Sequence, residues 1–382
     1  MSVLRGKTAV VGVGTAGIGY APGFNSLELM AQASHEALAD CGLTMADVDG
    51  LFVSSVTNAM PTVSAAEYFG IHPRHAAGTF IGGSAFVAGA LDAMLALEAG
   101  LCDVALIAYG SNQRSAGGKL QVISEQQPYE KDYLPQYPLS SYALTAARHM
   151  HEYGTTREQM AAVAVAARQW AQLNPDAFRR DPLTIEDVVS APIMAPPLGT
   201  KDCCLVTDGA AAVVMVRADR AKDMPRKPVY LLGAAAAYSH RQIAQAASLT
   251  RTAAADSGPR ALAMAGLGVG DVDVVQLYDA FTINTILFLE DLGFCPKGEG
   301  GRFVENGRIA PGGALPVNTN GGGLSCVHPG MYGLFLIVEA VEQLRGQLGD
   351  RQVKGAETAL IHGNGGVFST QVTALLGTEA TL

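Results

Sequence analysis

Charged residues are few in this sequence, and neither sign of charge is concentrated. Lys and Arg number 26 against 35 Asp and Glu, which leaves a net charge of −9, and no basic block reaches the density of a nucleic-acid or anionic-membrane surface. The longest apolar runs, such as Tyr332–Val338, are far shorter than the roughly 20 residues that cross a bilayer. Met1–Gly6 lacks the charged-then-apolar pattern of a signal peptide. These absences predict a cytoplasmic protein that binds neither nucleic acid nor membrane.

The cysteines show neither the paired spacing of a metal site nor a framework of disulfides. They lie in apolar or mid-element settings, which favours buried, reduced thiols. Hydrophobic residues make up 49% of the 382 residues and charged residues 16%, as in a compact globular protein with one large or two medium domains. The six cysteines are Cys41, Cys102, Cys203, Cys204, Cys295 and Cys326.

Two parts of the chain follow the same plan. Residues 37–55, "ALADCGLTMADVDGLFVSS", match residues 261–279, "ALAMAGLGVGDVDVVQLYD": each is a helix end, a Gly stop, an Asp-capped turn and a buried β-run. Residues 82–110 and 326–365 continue the match with a polar turn, a helix, a Gly stop, a strand and a Gly-bearing tip. Two β-α-β-α-β units in tandem predict an α/β fold with two parallel sheets and covering helices.

The β pattern stops between these halves. The stretches "SSYALTAARHMHEYG", "TTREQMAAVAVAARQWAQLN" and "TIEDVVS" are typical of helices with Thr or Ser caps. We therefore predict an N-terminal half from residues 1–110 and 198–228, a helical insertion over 111–197, and a C-terminal half over 229–382. An insertion of this length usually carries substrate contacts.

The glycine motif "GVGTAG" at Gly12–Gly17 has the spacing of a dinucleotide-binding fingerprint. Its context does not fit, because Pro22 and Gly23 follow where a helix N-terminus would have to meet the pyrophosphate. A glycine-rich loop after a strand is therefore favoured over a nicotinamide or flavin site.

Ligands of α/β sheets bind beyond the carboxyl ends of the strands. Four turns are predicted there: Thr79–Ser84, Tyr278–Thr282, Ser325–Pro329 and His362–Gly366. We expect the functional residues of the chain in these four turns.

Several motifs together resemble the thiolase superfamily, most closely its sterol-carrier-protein-type and lipid-transfer-protein branch. They are "MHEYGTTREQMAAVAVAARQWAQLNPDAFRRDPLTIEDV", "KDCCLVTDGAAAVVM", "LGFCPKGEGGRF" and "NTNGGGLSCVHPG", and the resemblance covers essentially the whole chain. It implies a thiolase-like five-layered α-β-α-β-α arrangement with a helical loop domain. It also implies a coenzyme A thioester as substrate, with no tightly bound cofactor and no metal.

The resemblance places a nucleophilic cysteine at the N-terminus of the helix after the third strand. This chain has Gly82, Gly83 and Ser84 there, and Cys102 lies at the far end of that helix. We interpret Ser84 as a helix cap, since an attacking serine needs an adjacent base and none is evident nearby. The three residues of this turn are expected to stabilise an oxyanion or enolate through backbone N–H groups.

Three further family positions fall on the remaining turns. Tyr278, in "YDAF", stands where the family has Asn or His; a nearby cation would lower its pKa. His328 of the His-Pro pair is retained, and the Cys-x-Gly turn has become His362-Gly-Asn-Gly-Gly. Tyr278 and His328 are the candidate base and acid, in an order left open. His362 either replaces the lost thiol or caps the strand, and Gly365 and Gly366 keep an anion-holding nest.

Without the two family cysteines the covalent thiolase route is closed. The pocket that remains suits retro-aldol cleavage of a β-hydroxyacyl-CoA to a ketone or aldehyde plus a shorter acyl-CoA, as the resemblance to steroid side-chain aldolases also implies. That branch further implies a homodimer and a small OB-fold/zinc-ribbon partner. Many of its members carry Tyr where this chain has His328, so the acyl group is either a steroid side chain or another bulky group. One alternative is acyl transfer of the acetyl-CoA acetyltransferase or 3-ketoacyl-CoA thiolase type, with Cys326 as the nucleophile. We instead interpret Cys326 as a packing thiol. The other alternative is a non-catalytic acyl-CoA-binding subunit.

Overall fold

The computed structural model describes residues 3–118 and 127–382. Its strands are β1 Thr8–Gly19, β2 Gly50–Val53, β3 His75–Ala77, β4 Ala105–Ser111, β5 Ile193–Ala195, β6 Leu198–Gly199, β7 Asp208–Arg217, β8 Val229–Tyr238, β9 Val274–Leu277, β10 Thr358–Gly365 and β11 Thr370–Gly377. Its α-helices are α1 Ser26–Asp40, α2 Pro61–Phe69, α3 Ala85–Glu98, α4 Gln113–Gly117, α5 Leu139–Tyr153, α6 Arg157–Gln172, α7 Ile185–Val189, α8 Ala218–Ala221, α9 Ala254–Ala265, α10 Thr282–Asp291, α11 Gly300–Phe303 and α12 Gly333–Arg345.

Nine strands form one sheet in the order β3-β2-β4-β7-β1-β8-β11-β10-β9. The duplicated plan is visible in the pairing: β2 is parallel to β4 and β9 is parallel to β10, and in each half the next strand, β7 or β11, runs antiparallel. The halves meet at the antiparallel pair β1–β8, through Ala9 with Tyr230 and Val10 with Val229. The sequence similarity between the halves therefore reflects a real structural repeat.

The expectation of two parallel sheets is wrong, because the sheet is mixed and continuous. The short turn 366–369 joins β10 to β11 as a hairpin, and a hairpin makes its strands antiparallel. At the junction of the halves, β1 and β8 use each other's backbone groups, which would otherwise form two open edges.

The helices lie in layers around this sheet. α3 and α12 contact strands of both halves and form the central layer, while α1 packs on β1, β4 and β7 and α9 packs on β8 and β11. Most residues of α3 are buried, and most of these are Ala, Val, Leu and Phe, as expected for a helix that packs between two β layers. The expected α-β-α-β-α arrangement is thus confirmed, with the two halves of the continuous sheet as its two β layers.

The predicted insertion over 111–197 contains α4–α7 and β5, and β6, which pairs with β5, begins just after it. Residues 119–126 of the insertion lie outside the described residues. Thr156 and Thr184 cap α6 and α7 through their side chains, as expected, whereas α5 follows Pro138 without a side-chain cap. The domain boundaries stay a prediction. Of the helices in the described ranges, none has the length and apolar character needed to span a bilayer.

The motif Gly12–Gly17 lies inside β1, not in a loop after a strand as expected. Its glycines allow α1 to pack close to the strand: a Cβ at Gly12 would lie 2.0 Å from the carbonyl oxygen of Ala37, and one at Gly14 would lie 2.5 Å from that of Ala33. The motif therefore serves helix–sheet packing.

Candidate active site

Tyr278 and His328 form a buried pair at the end of β9. Tyr278 directly follows the last residue of that strand, and its Oη lies 3.1 Å from Nε2 of His328. The two rings stand nearly perpendicular, at 89° with centroids 5.6 Å apart. Tyr278 Oη also accepts the backbone N–H of Tyr332 at 3.1 Å. Both side chains predicted as base and acid are therefore in direct contact.

Burial keeps both members of this pair neutral. It lowers the pKa of His328 from 6.5 to about 4, and it raises the pKa of Tyr278 well above 10. The phenol pKa thus moves opposite to the direction that a nearby cation would cause. Nδ1 of His328 is buried without a hydrogen-bond partner among the described residues. A proton can pass between the phenol oxygen and the unprotonated imidazole.

A π-helical turn at Gly322–Cys326 leads into His328 and is held by Asp279. The carboxylate of Asp279 accepts the backbone N–H of Gly323 at 2.6 Å and of Leu324 at 3.4 Å. Burial raises the pKa of Asp279 to about 7, although these hydrogen bonds oppose the shift. The Asp279 side chain therefore positions the segment that carries the catalytic candidate His328.

The two glycine turns pack against each other beside this pair. A Cβ at Gly83 would lie 2.0 Å from Cε2 of Tyr278, and a Cβ at Gly82 would lie 2.8 Å from the backbone nitrogen of Gly366. A Cβ at Gly365 would lie 1.7 Å from the carbonyl oxygen of Ile81. Only glycine allows these approaches, so the structure brings the predicted oxyanion turns together with the Tyr278–His328 pair.

Ser84 lies in the same place, but its hydroxyl does not cap the helix, and that interpretation is wrong. Ser84 occupies the position before α3 without a side-chain capping bond. Its Oγ instead donates to the carbonyl oxygen of Ile81 at 2.8 Å and lies 2.7 Å from Oγ1 of Thr370. These contacts tie the turn to the start of β11, and neither partner is a base that would activate the hydroxyl.

The structure does not bring the side chain of His362 to this cluster. Side chains alternate along a strand. A Cβ at the neighbouring Gly363 would meet Ser84, so His362 faces the opposite side of β10, against the ring of Phe288. Its Nδ1 lies 2.9 Å from Oγ1 of Thr373 and its Nε2 lies 2.6 Å from Oε1 of Gln371. Neither expected role, thiol replacement or strand cap, matches these contacts.

Comparison with known proteins identifies the family. A family model described as thiolase C-terminal domain-like matches residues 235–378. The 17-hydroxy-3-oxo-4-pregnene-20-carboxyl-CoA lyase of Mycobacterium tuberculosis is 35% identical, over 96% of this chain and 98% of that protein. An acetyl-CoA acetyltransferase of Methanothermobacter thermautotrophicus is also 35% identical, over 95% and 97% of the two chains. The chain belongs to the thiolase superfamily.

A solved structure of an Ltp2-ChsH2(DUF35) aldolase matches this thiolase-superfamily chain over 100% of both chains, with 31% identity and a TM-score of 0.89. The match confirms the lipid-transfer-protein branch to which the sequence motifs pointed.

The thiols of this thiolase-superfamily chain are poorly suited to attack. Burial raises the pKa of Cys102 to about 11 and that of Cys326 further above the ordinary thiol value of 9.0. Cys326 ends the π-helical turn as a buried side chain, in keeping with a packing role. Among the residues of the described ranges, no group of three or more His, Cys, Asp or Glu side chains is placed to hold a metal ion.

Sequence reasoning missed three residues of the site: Asp279, Thr370 and Tyr142. Asp279 was visible as the acidic residue of "YDAF", next to Tyr278. Tyr142 lies in α5, and its hydroxyl donates to the carbonyl oxygen of Gly366 at 2.9 Å. No sequence signal marks this contact, because it joins residues 224 positions apart.

Proposed function

We propose that this chain is a lyase that cleaves the Cα–Cβ bond of a β-hydroxyacyl-CoA by retro-aldol chemistry, without a covalent intermediate. One observation carries the proposal: the buried Tyr278–His328 pair adjoins glycine turns in which Ser84 stands at the nucleophile position of thiolases. The names of the lyase and aldolase relatives support the same reaction class.

The pair performs the proton transfers of this reaction. Tyr278 takes the proton of the substrate β-hydroxyl as its own proton passes to Nε2 of His328, 3.1 Å away. The Cα–Cβ bond then breaks, the β-carbon leaves as a ketone or aldehyde carbonyl, and the electron pair forms the thioester enolate. The proton returns through the phenol to the enolate carbon, which gives the shorter acyl-CoA. No co-reactant is needed, because the reaction only redistributes atoms of the substrate.

The turns around the pair supply the stabilisation of the enolate. Gly82, Gly83 and Ser84 form the turn that directly precedes α3, and their backbone N–H groups lie at the helix N-terminus, where the helix dipole favours negative charge. Gly365 and Gly366 meet this turn from β10 and offer a second set of donors. Preorganised donors of this kind each contribute about 10²–10³-fold to rate.

Product analysis tests this proposal. The purified chain, alone and with the small OB-fold/zinc-ribbon partner proposed below, is incubated with a panel of β-hydroxyacyl-CoA thioesters. The panel includes steroid side-chain and branched aromatic acyl groups. Mass spectrometry is expected to find a carbonyl compound and an acyl-CoA shortened at the Cα–Cβ bond in equal amounts. Turnover of 3-ketoacyl-CoA with free CoA would instead support acyl transfer, and no turnover of any thioester would support a non-catalytic subunit.

Alkylation of thiols is expected to leave this activity within about twofold of its starting value, because no thiolate takes part in the chemistry. Activity is measured after iodoacetamide treatment, with a cysteine-dependent thiolase inactivated in parallel as the control. Intact-protein mass spectrometry during turnover is expected to show no acyl adduct. An acyl thioester on Cys326, or full inactivation that accompanies its alkylation, contradicts the proposal.

The pH profile is expected to report the lowered pKa of His328. A neutral imidazole accepts the proton, so activity is lost only as pH falls through about 4, and not near the ordinary value of 6.5. kcat/KM is determined from initial rates at each pH. The same profile for Asp279→Asn shows whether a change in activity near pH 7 comes from the Asp279 carboxyl.

Folding is followed by circular dichroism at each pH of this profile. The unfolded chain binds more protons at His328 than the folded chain between about 4 and 6.5, so stability falls as pH drops through this window. An acid limb near 6.5 that persists in Asp279→Asn, in a fully folded sample, contradicts the role of His328 as acceptor.

We further propose a cytoplasmic homodimer that works with a small OB-fold/zinc-ribbon partner. β3 is one of the two edge strands of the sheet, and Met60, Val63, Tyr68 and Phe80 nearby are 48–71% exposed, which suits burial against a second copy. The partner is proposed because the name of the matched aldolase includes a DUF35 component. Light scattering is expected to give about twice the chain mass of 39.6 kDa; a monomer contradicts the dimer.

A further inference from the structure

Buried polar side chains form a continuous series of hydrogen bonds behind the Gly365–Gly366 turn. Oγ of Ser257 lies 2.8 Å from Oγ1 of Thr373, which lies 2.9 Å from Nδ1 of His362. Nε2 of His362 lies 2.6 Å from Oε1 of Gln371. The series links α9, β11 and β10, and every one of these side chains is fully buried.

The other end of the series reaches the glycine turn. Nε2 of Gln371 donates to Oδ1 of Asn364 at 2.7 Å, and Nδ2 of Asn364 donates to Oη of Tyr142 at 2.9 Å. The hydroxyl of Tyr142 donates to the carbonyl oxygen of Gly366, also at 2.9 Å. The series therefore ends on the backbone of a turn whose N–H groups are proposed to hold the enolate.

The series has one direction, which the side-chain amide of Gln371 sets. Because Gln371 donates through its amide nitrogen to Asn364, its oxygen must accept the N–H of His362 Nε2. Nδ1 of His362 is then the acceptor for the hydroxyl of Thr373. One neutral tautomer satisfies both bonds, and burial lowers the pKa of His362 to about 4, which preserves that neutral form at higher pH.

Tyr142 is also held by aromatic contacts. Its ring stacks on Phe281 with centroids 4.3 Å apart and meets Phe368 edge-on at 4.9 Å. Phe281 belongs to the same "YDAF" segment as Tyr278, and Phe368 lies in the turn between β10 and β11. The two aromatic contacts fix the plane of the Tyr142 ring, and the hydrogen bonds to Asn364 and Gly366 fix the direction of its hydroxyl.

We propose that His362 is a positioning residue, which acts through Gln371, Asn364 and Tyr142 to orient the Gly365–Gly366 turn for enolate stabilisation. The enolate part of this assignment rests on the proposed function. The mechanical part, that His362 orders the turn through Tyr142, stands on the hydrogen bonds alone. Dense hydrogen bonding in a buried, low-dielectric setting gives such a series its rigidity.

Three single variants and one double variant test the assignment. His362→Leu breaks the series in its middle, and Tyr142→Phe removes only the hydroxyl that contacts Gly366. Both are expected to lower kcat by about 10–100-fold with little change in KM, because a displaced donor acts on the transition state. His362→Gln offers one acceptor and one donor, so it is expected to restore most of the kcat lost in His362→Leu. The double variant His362→Leu/Tyr142→Phe is expected to have a kcat no lower than that of the slower of its two single variants.

Two further readouts separate positioning from other roles. The pH profile of each slow variant is expected to keep the wild-type shape; loss of a limb in His362→Leu would make this residue an acid or base and overturn the assignment. Hydrogen exchange of a peptide that spans 363–369 is expected to quicken in both His362→Leu and Tyr142→Phe, with exchange in α3 unchanged. Unchanged exchange and unchanged kcat in both variants overturn the proposal.

The exchange readout also separates this assignment from the proposed function. Faster exchange in the variants of a chain that cleaves no β-hydroxyacyl-CoA refutes the lyase reaction and supports the mechanical part. Normal exchange and full activity in His362→Leu refute the positioning role and leave the lyase reaction intact. If His362→Leu does not fold, Tyr142→Phe still tests the last link of the series, and normal exchange with full activity in Tyr142→Phe overturns the positioning role.

Discussion

Tyr278→Phe is expected to lower kcat for β-hydroxyacyl-CoA cleavage by about 10²–10⁴-fold, the usual contribution of a positioned acid or base. The phenol oxygen is the atom that contacts both Nε2 of His328 and the backbone N–H of Tyr332, so removing it disconnects the imidazole from the substrate hydroxyl. The ring remains, and the packing against Gly83 is kept. Turnover is measured by release of the shortened acyl-CoA, and KM is expected to change little, because the phenol acts on the β-hydroxyl and not on the coenzyme A portion.

The matched control is Tyr230→Phe. Tyr230 is also a buried tyrosine, it lies in β8, and its hydroxyl has no hydrogen-bond partner in the described part of the chain. Removing that hydroxyl is expected to leave kcat and the free energy of unfolding close to those of the wild type. Tyr278→Phe with at least a tenth of wild-type kcat contradicts the phenol as the proton-transfer group, since the loss would fall below about 10²-fold.

The repeat and the position of the site were predictable because both follow from local sequence signals. The similarity of residues 37–55 and 261–279 marks equivalent helix–turn–strand segments, and strand ends locate the turns where ligands bind. Tyr278 and His328 each lie in such a turn, and the structure places them 3.1 Å apart. Neither motif predicts this contact, because it joins residues 50 positions apart.

Strand direction and side-chain facing were not predictable in the same way. The antiparallel direction of β7 and β11 depends on how the chain returns, which the apolar pattern of a buried strand does not encode. The side of β10 on which His362 lies depends on which face of the sheet packs against α3. The contact of the Ser84 hydroxyl was not predictable either, because its partner Thr370 lies in a strand 286 residues away.

Gly83→Ala is expected to lower kcat by about 10²-fold, although the new side chain is a single methyl group. Gly83 does not have a positive φ, so alanine is allowed by the backbone and the effect comes from the contact alone. The added Cβ would lie 2.0 Å from Cε2 of Tyr278, and this ring is held by His328 and by the N–H of Tyr332. The ring must shift, and a displacement near 1 Å in a catalytic group costs about 10²-fold in rate.

Gly270→Ala is the control for this substitution, because no atom lies within 4 Å of a Cβ at Gly270. It is expected to keep wild-type kcat. The sharper test combines Gly83→Ala with Tyr278→Phe: a clash that acts only by moving the phenol oxygen has little left to remove once that oxygen is gone, so the two losses should not multiply. Losses that do multiply would mean that Gly83 acts through the backbone donors of the α3 turn and not through Tyr278. Full activity in Gly83→Ala would show that the Tyr278 ring does not need its place over Gly83.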